Sequence, residues 1–147
     1  MDDLDLKIIG ILQLDGRMSN AKIARGSGVS EGTIRRRLKK LISSKTIQIL
    51  ALPEPSKLGY GTEAMIALQV DPGKIEEVAS ALSKSAETVN VSITTGAFDI
   101  FAWVATHTSE ELHSFILNTI GSIDGVRRSE TFIAMSVKKR TLSIVSK

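Results

Sequence analysis

Between residues 30 and 45 the sequence sets Arg35, Arg36, Arg37, Lys39, Lys40 and Lys45 against a single acidic residue, Glu31. Guanidinium and ammonium groups at this density pair with the phosphates of a polyanion, and each contact releases a condensed counterion. Arginine also bridges the two acceptors on the major-groove edge of guanine. A solvated helix face is the plainer account of a charge run, but six cations within sixteen residues exceed what solvation needs. The charge is lopsided along the chain as well. Residues 1–61 carry eleven Lys or Arg against six Asp or Glu, a net +5, and residues 62–147 carry eight against ten, a net −2. Such a balance fits a chain in which one part meets a polyanion and the other has a different task.

Other chemistries find little material. With no cysteine there is no disulfide, thiolate zinc site or cysteine nucleophile, and the two histidines, His107 and His113, leave little for an imidazole metal site. Neither histidine has a charged partner nearby in sequence, so surface or interface roles are expected of both. Trp103 and Phe101 lie on an apolar stretch and read as core or interface residues. No metal and no cofactor are expected. No run of eighteen apolar residues occurs, and the chain opens Met1-Asp2-Asp3 without a basic region, so neither a membrane span nor a signal peptide is expected. The expected location is the cytoplasm.

The cations need a frame, and the apolar spacing supplies one. Leu4, Ile8, Ile11 and Leu12 follow the caps Asp2 and Asp3 at i, i+4, i+7 and i+8, which predicts an amphipathic helix ending near Gly16. Ser19 caps a short second helix through Ala21, Ile23 and Ala24, terminated by the glycines at 26 and 28. Ser30 caps a third, with Ile34, Leu38, Leu41 and Ile42 inward. Ala24 allows close crossing and Gly28 makes the turn, the spacing of a helix-turn-helix. In that frame Ser30, Glu31, Gly32 and Thr33 form the first turn of a recognition helix. That turn and Arg35 or Arg36 reach base edges, while Arg37, Lys39, Lys40, Lys45 and Arg17 meet the DNA backbone.

A strand over 47–52 is expected next, followed by a linker over 51–61 that holds two of the three prolines. The first domain is then 1–50 and the second 62–147. In the second, Ala64, Ile66, Leu68 and Val70 alternate on a strand, and Asp71-Pro72 opens a helix with Ile75, Val78, Ala79 and Leu82 inward. Val89, Val91 and Ile93 alternate again. A strand from Ile100 to Ala105 leads to a capping box at Thr108 and Glu111, then to a helix burying Leu112, Phe115, Ile116 and Ile120. A last strand is expected from Ser129 to Val137. The fold class is α+β: a helix-turn-helix (winged-helix-like) domain joined by a linker strand to a ferredoxin-like βαββαβ sandwich. Such a sheet has a second face to cover, and a second copy of the chain is the simplest cover. The glycine-led turn of Thr95, Gly96, Ala97, Phe98 and Asp99 offers backbone N–H groups to a carboxylate and an aspartate to an ammonium, although Asp99 also suits the cap of a plain hairpin.

The order of these pieces resembles the leucine-responsive and asparagine-responsive (Lrp/AsnC) regulators over nearly the whole length. The matching residues are Leu4-Asp5-x-x-Ile8-Ile9-x-x-Leu12, Asp15-Gly16-Arg17-x-Ser19, Ile23-Ala24, Gly28-Val29-Ser30, Arg37-Leu38-x-x-Leu41, Ile47, Leu58-Gly59-Tyr60, Gly96-Ala97-Phe98-Asp99, and Gly125-Val126 leading into Thr131. Three positions depart from the pattern: Ser27 where an apolar residue is usual, Gly32 inside the recognition helix, and Lys45-Thr46 in place of a glycine. The resemblance implies a sequence-specific transcription regulator on a pseudo-palindromic double-stranded DNA site. It implies a homo-oligomer, a dimer extending to a tetramer or octamer. It also implies an amino-acid effector held between dimers by Thr95, Gly96, Ala97, Phe98 and Asp99 together with Ser129 and Thr131 of the partner subunit. Two other readings stand beside it. An architectural protein would coat DNA with little choice of site. Proteins similar to the family decarboxylate tetrapyrroles on the same scaffold, a role against which the scarcity of histidine and tyrosine counts.

Overall fold

The Asp2 carboxylate accepts the Asp5 N–H at 3.0 Å and the Asp5 carboxylate accepts the Asp2 N–H at 3.2 Å, a reciprocal box that satisfies two donors of a helix start. In the computed structural model, which describes residues 1–140, this box opens α1 (Asp3–Leu14). Ser19 caps α2 (Asn20–Ser27) and Ser30 caps α3 (Glu31–Ser43), each hydroxyl accepting an N–H three residues on. Gly28 ends α2 in the left-handed region at φ 68°, where a side chain would be strained. Gly26, expected to help end that helix, lies within it. Ile8, Ile23, Ala24, Ile34 and Leu41 form the core of the three helices, with Leu12, Val29, Leu38 and Ile47 packed against it. Full burial of each isoleucine contributes about 1.5–3 kcal/mol.

The strand expected over 47–52 is not formed. A strand needs a neighbouring row of backbone groups, and none of the described residues supplies one. Ile49, Leu50 and Leu52 stay exposed there. The described chain divides into two units, one of residues 1–52 with 139–140 and one of Pro53–Lys138, so the second unit ends short of the expected 62–147; the expected linker carries a 3-10 turn at Pro55–Leu58.

The second unit is a four-stranded antiparallel sheet of β1 (Thr62–Val70), β2 (Thr88–Ile93), β3 (Ile100–Thr106) and β4 (Val126–Ile133) in the order β2-β3-β1-β4. One face carries α4 (Ile75–Leu82) and α5 (Ser109–Ser114), the latter continued by a π turn at Phe115–Thr119. Val78, Leu82, Leu112, Phe115 and Ile120 close over Ala64, Ile66, Leu68, Val70, Ile100, Ala102 and Val104. This is the ferredoxin-like arrangement. The other face aligns Met65 with Trp103 on one side and Phe132 on the other, with Ala67 beside Phe101.

Several expectations shift by local geometry. Val89 and Ile93 are exposed and only Val91 packs on the core, because β2 is an edge strand whose register slips between Thr88 and Asn90. β4 starts at Val126 and ends at Ile133, so Ala134 to Val137 lie beyond it. Half of the second capping box forms: Thr108 accepts the Glu111 N–H, but Glu111 accepts from the His107 N–H at 2.9 Å. His107 therefore has a charged partner after all, its ring 3.2 Å from Glu111 and stacked on Tyr60 at 4.4 Å. Residues 141–147 of the expected second domain lie outside the described residues. Among the described residues no helix is long and apolar enough to cross a membrane, and no cluster of His, Cys, Asp or Glu could hold a metal.

Candidate nucleic-acid interface and effector loop

With Ile34 and Leu41 turned into the core, helical geometry sends Gly32, Arg35, Arg36, Lys39 and Lys40 outward, and all five are exposed. Glu31 is exposed too, and Lys45 follows just past the helix end. Ser30 is exposed and Thr33 half-buried, their hydroxyls 2.9 Å apart, and the Ser30 hydroxyl accepts the Thr33 N–H. Arg35 pairs with Glu31 at 2.7 Å across one helical turn. With the two side chains 70% and 46% exposed, such a pair contributes about 0–1 kcal/mol and yields readily to a phosphate or a base.

Arg37, expected to meet the DNA backbone, is engaged within the chain. Its guanidinium turns to the start of α1 and donates to Asp5 at 3.2 Å and to Asp2. Those two bonds hold the Arg37 pKa above its ordinary value. The Asp5 N–H, and after it Arg37, hold the Asp2 carboxyl below its ordinary value. Arg17 is exposed, its N–H bonded to Asp15 at 2.9 Å. Two exposed cations on α2, Lys22 and Arg25, escaped the sequence reading. The outer face of the first helix of the motif would have revealed them. Lys45 adopts φ 57°, the only non-glycine among the described residues with positive φ, at the position where a glycine ordinarily ends the helix.

In the second unit, Gly96 sits at φ 120° in the turn between β2 and β3. Thr95, Gly96 and Ala97 are exposed, and none of their N–H groups is engaged among the described residues. The turn is braced from behind. Thr94 donates its hydroxyl to the Phe98 carbonyl at 2.9 Å, Gln69 donates to the Ala97 carbonyl at 2.8 Å, and Phe98 meets Phe101 edge-on at 6.0 Å. The Asp99 carboxylate accepts the Val70 N–H at 2.8 Å. The carboxylate thus holds the end of β1. Gln69 and Thr94 were missed because nothing in a single sequence marks which residues back a turn.

Ser129 and Thr131 are not brought to this turn within one chain. Ser129 pairs with Leu68 on one side of β1, while the Asp99 N–H donates to the Leu68 carbonyl from the other. Arg127 and Arg128, just before them, pair with Asp71 and Glu130.

Known proteins match this architecture along its length. Residues 1–42 match the AsnC-type helix-turn-helix domain and residues 63–144 the Lrp/AsnC ligand binding domain. The chain is 44% identical to an HTH-type transcriptional regulator of Pyrococcus furiosus over 140 residues, 95% of each chain. It is 42% identical to the HTH-type transcriptional regulator FL11 of the same organism, covering 98% of this chain and 95% of that one. Among solved structures it is similar to a transcriptional regulator of Neisseria meningitidis in complex with L-Met, with a TM-score of 0.88, 26% identity, and 98% and 96% of the two chains covered.

Proposed function

The chain belongs to the Lrp/AsnC family of transcriptional regulators, and from that premise we propose that it works as a dimer in the cytoplasm, lays paired α3 helices into the major groove, and responds to an amino acid. The members named above are regulators of transcription, not enzymes. The observation that carries the DNA reading is the exposed set of Gly32, Arg35, Arg36, Lys39 and Lys40 on the outer side of α3; in this reading Gly32, Arg35 and Arg36 meet base edges while Lys39, Lys40 and Lys45 meet phosphates. Arg17, Lys22 and Arg25 extend the phosphate track. Dimers place two such helices about 10 base pairs apart, on a pseudo-palindromic site.

The effector reading is supported by the unengaged N–H groups of Thr95, Gly96 and Ala97, which suit a carboxylate. It is supported also by the L-Met bound to the Neisseria regulator. Asp99 then positions the loop, and Ser129 and Thr131 of the partner subunit complete the pocket between dimers. Genome-wide mapping of bound sites with and without each amino acid tests the whole reading. Discrete sites with two half-sites, shifted in occupancy by an amino acid, are expected. Uniform coating would instead favour an architectural protein.

A further inference from the structure

Asp5 is the only charged residue among the described residues that is buried, at 8% exposure, and Arg37 is what neutralises it. Both carboxylates of the α1 start are fully committed. One oxygen of each closes the box with the other's N–H, and the remaining oxygen of each takes the Arg37 guanidinium. An acidic pair also sits favourably at the positive end of the α1 dipole. The side chain that joins α3 to α1 thus leaves the recognition helix three residues after Ile34 and four before Leu41, on the flank of its buried face. Hydrophobic packing of Ile8 against Ile34 and Leu41 resists separation of the helices but is non-directional, so it does little to fix the rotation of α3 about its own axis. Two hydrogen bonds from a planar guanidinium to two anchored carboxylates do fix it.

We propose that Arg37 is a positioning residue for DNA recognition, which sets the rotation of α3 through Asp2 and Asp5 and touches no phosphate. The inference rests on the DNA-binding reading and goes beyond it in assigning Asp5 a part in site choice. It makes a prediction opposite in sign to simple electrostatics. Removing an anion near a polyanion should tighten binding, whereas loss of Asp5 should loosen recognition because α3 is no longer held in register.

The test uses the full chain, a duplex selected by the wild-type protein from a random pool, and a scrambled duplex of the same length. Asp5→Asn and Arg37→Gln should each weaken the selected duplex by roughly tenfold, the scale of one base contact. Binding to the scrambled duplex should change little, and the double variant should be no worse than the weaker single. The dependence of log affinity on log salt should keep its slope in Arg37→Gln. A slope shallower by about one in Arg37→Gln would mark a phosphate contact and overturn the proposal, as would tighter binding of both duplexes by Asp5→Asn. If the buried variants do not fold, Asp2→Asn decides. It keeps a capping side chain and should show the same selective loss, while unchanged or tighter binding would overturn the proposal. A wild-type protein that selects no duplex would sink the DNA-binding reading itself, a result distinct from all of these.

Discussion

Asp99 and Val70 are joined by a carboxylate-to-amide hydrogen bond of 2.8 Å at the point where the pairing of β1 with β4 slips between Gln69 and Val70. The Asp99 N–H also reaches back to Leu68 at 2.8 Å, so one residue stitches the turn to the end of β1 on two bonds. Replacing Asp99 with leucine leaves the Val70 N–H without its acceptor and should lower stability by about 1.5–3 kcal/mol. Amino-acid response should be lost with it, while DNA binding by the first unit persists. Thermal unfolding and calorimetry against a panel of amino acids would check this. Unchanged binding of every amino acid in Asp99→Leu would remove the turn from the effector site.

Met65, Trp103 and Phe132 line up across three strands on the sheet face away from the helices, and none of them is fully buried in the single chain. A second copy laid on that face would cover them. If the proposed dimer forms through this face, the wild-type protein should show a dimeric mass in light scattering at micromolar protein and Trp103→Asp a mass shifted toward monomer. A wild-type mass equal to one chain would refute the arrangement.

Acid should loosen the first unit through Asp2. Its folded pKa lies below the ordinary 3.8, first because the Asp5 N–H donates to it and then because Arg37 does. A depressed carboxyl stabilises the fold above its unfolded value and loses that contribution as pH falls through the folded value. Chemical denaturation should show stability falling as pH drops below about 3.8. Asp2→Asn should flatten that part of the profile while keeping a cap. An identical acid limb in the variant would assign the effect to other carboxyls.

The helix starts were legible because their signals are local: Asp2, Ser19, Ser30 and Thr108 each cap the helix that the apolar spacing predicted. The sheet core was legible for the same reason, since Ala64, Ile66, Leu68 and Val70 share one face by alternation alone. What was not legible depended on neighbours distant in sequence. The pairing of Arg37 with Asp2 and Asp5 was missed because charge was read without phase, although its spacing from Ile34 and Leu41 sets it on the inner flank. Val89 and Ile93 alternate correctly, but β2 has a partner on one side only and bends at a register shift. The 47–52 stretch has the composition of a strand and no row of backbone to join among the described residues.

Lys45 trades stability for charge. A lysine at φ 57° costs roughly 1–2 kcal/mol relative to a residue free of a Cβ, and glycine is the usual choice there. Lys45→Gly should raise the melting temperature and at the same time weaken binding to all duplexes alike, with the salt slope falling by about one. Greater stability with unchanged DNA affinity would show that the ammonium touches no phosphate.

Arg35 and Arg36 should behave differently from Lys40, because a bidentate contact to guanine is felt only where that base is present. Both arginines are exposed on the outer face of α3, and the Glu31 partner of Arg35 is held only at the surface. Arg35→Ala or Arg36→Ala should cost on the order of 1–3 kcal/mol on the preferred duplex, relax the choice of base at one position of each half-site, and leave scrambled DNA nearly untouched. Lys40→Ala should lower both affinities by a similar factor and flatten the salt dependence. Competition binding with single-base variants of the selected duplex measures all three. If both arginine variants weakened the selected and scrambled duplexes equally, α3 would be reading charge alone. Specificity would then have to come from the shape and stiffness of the DNA, as it does in proteins that bind without base contacts.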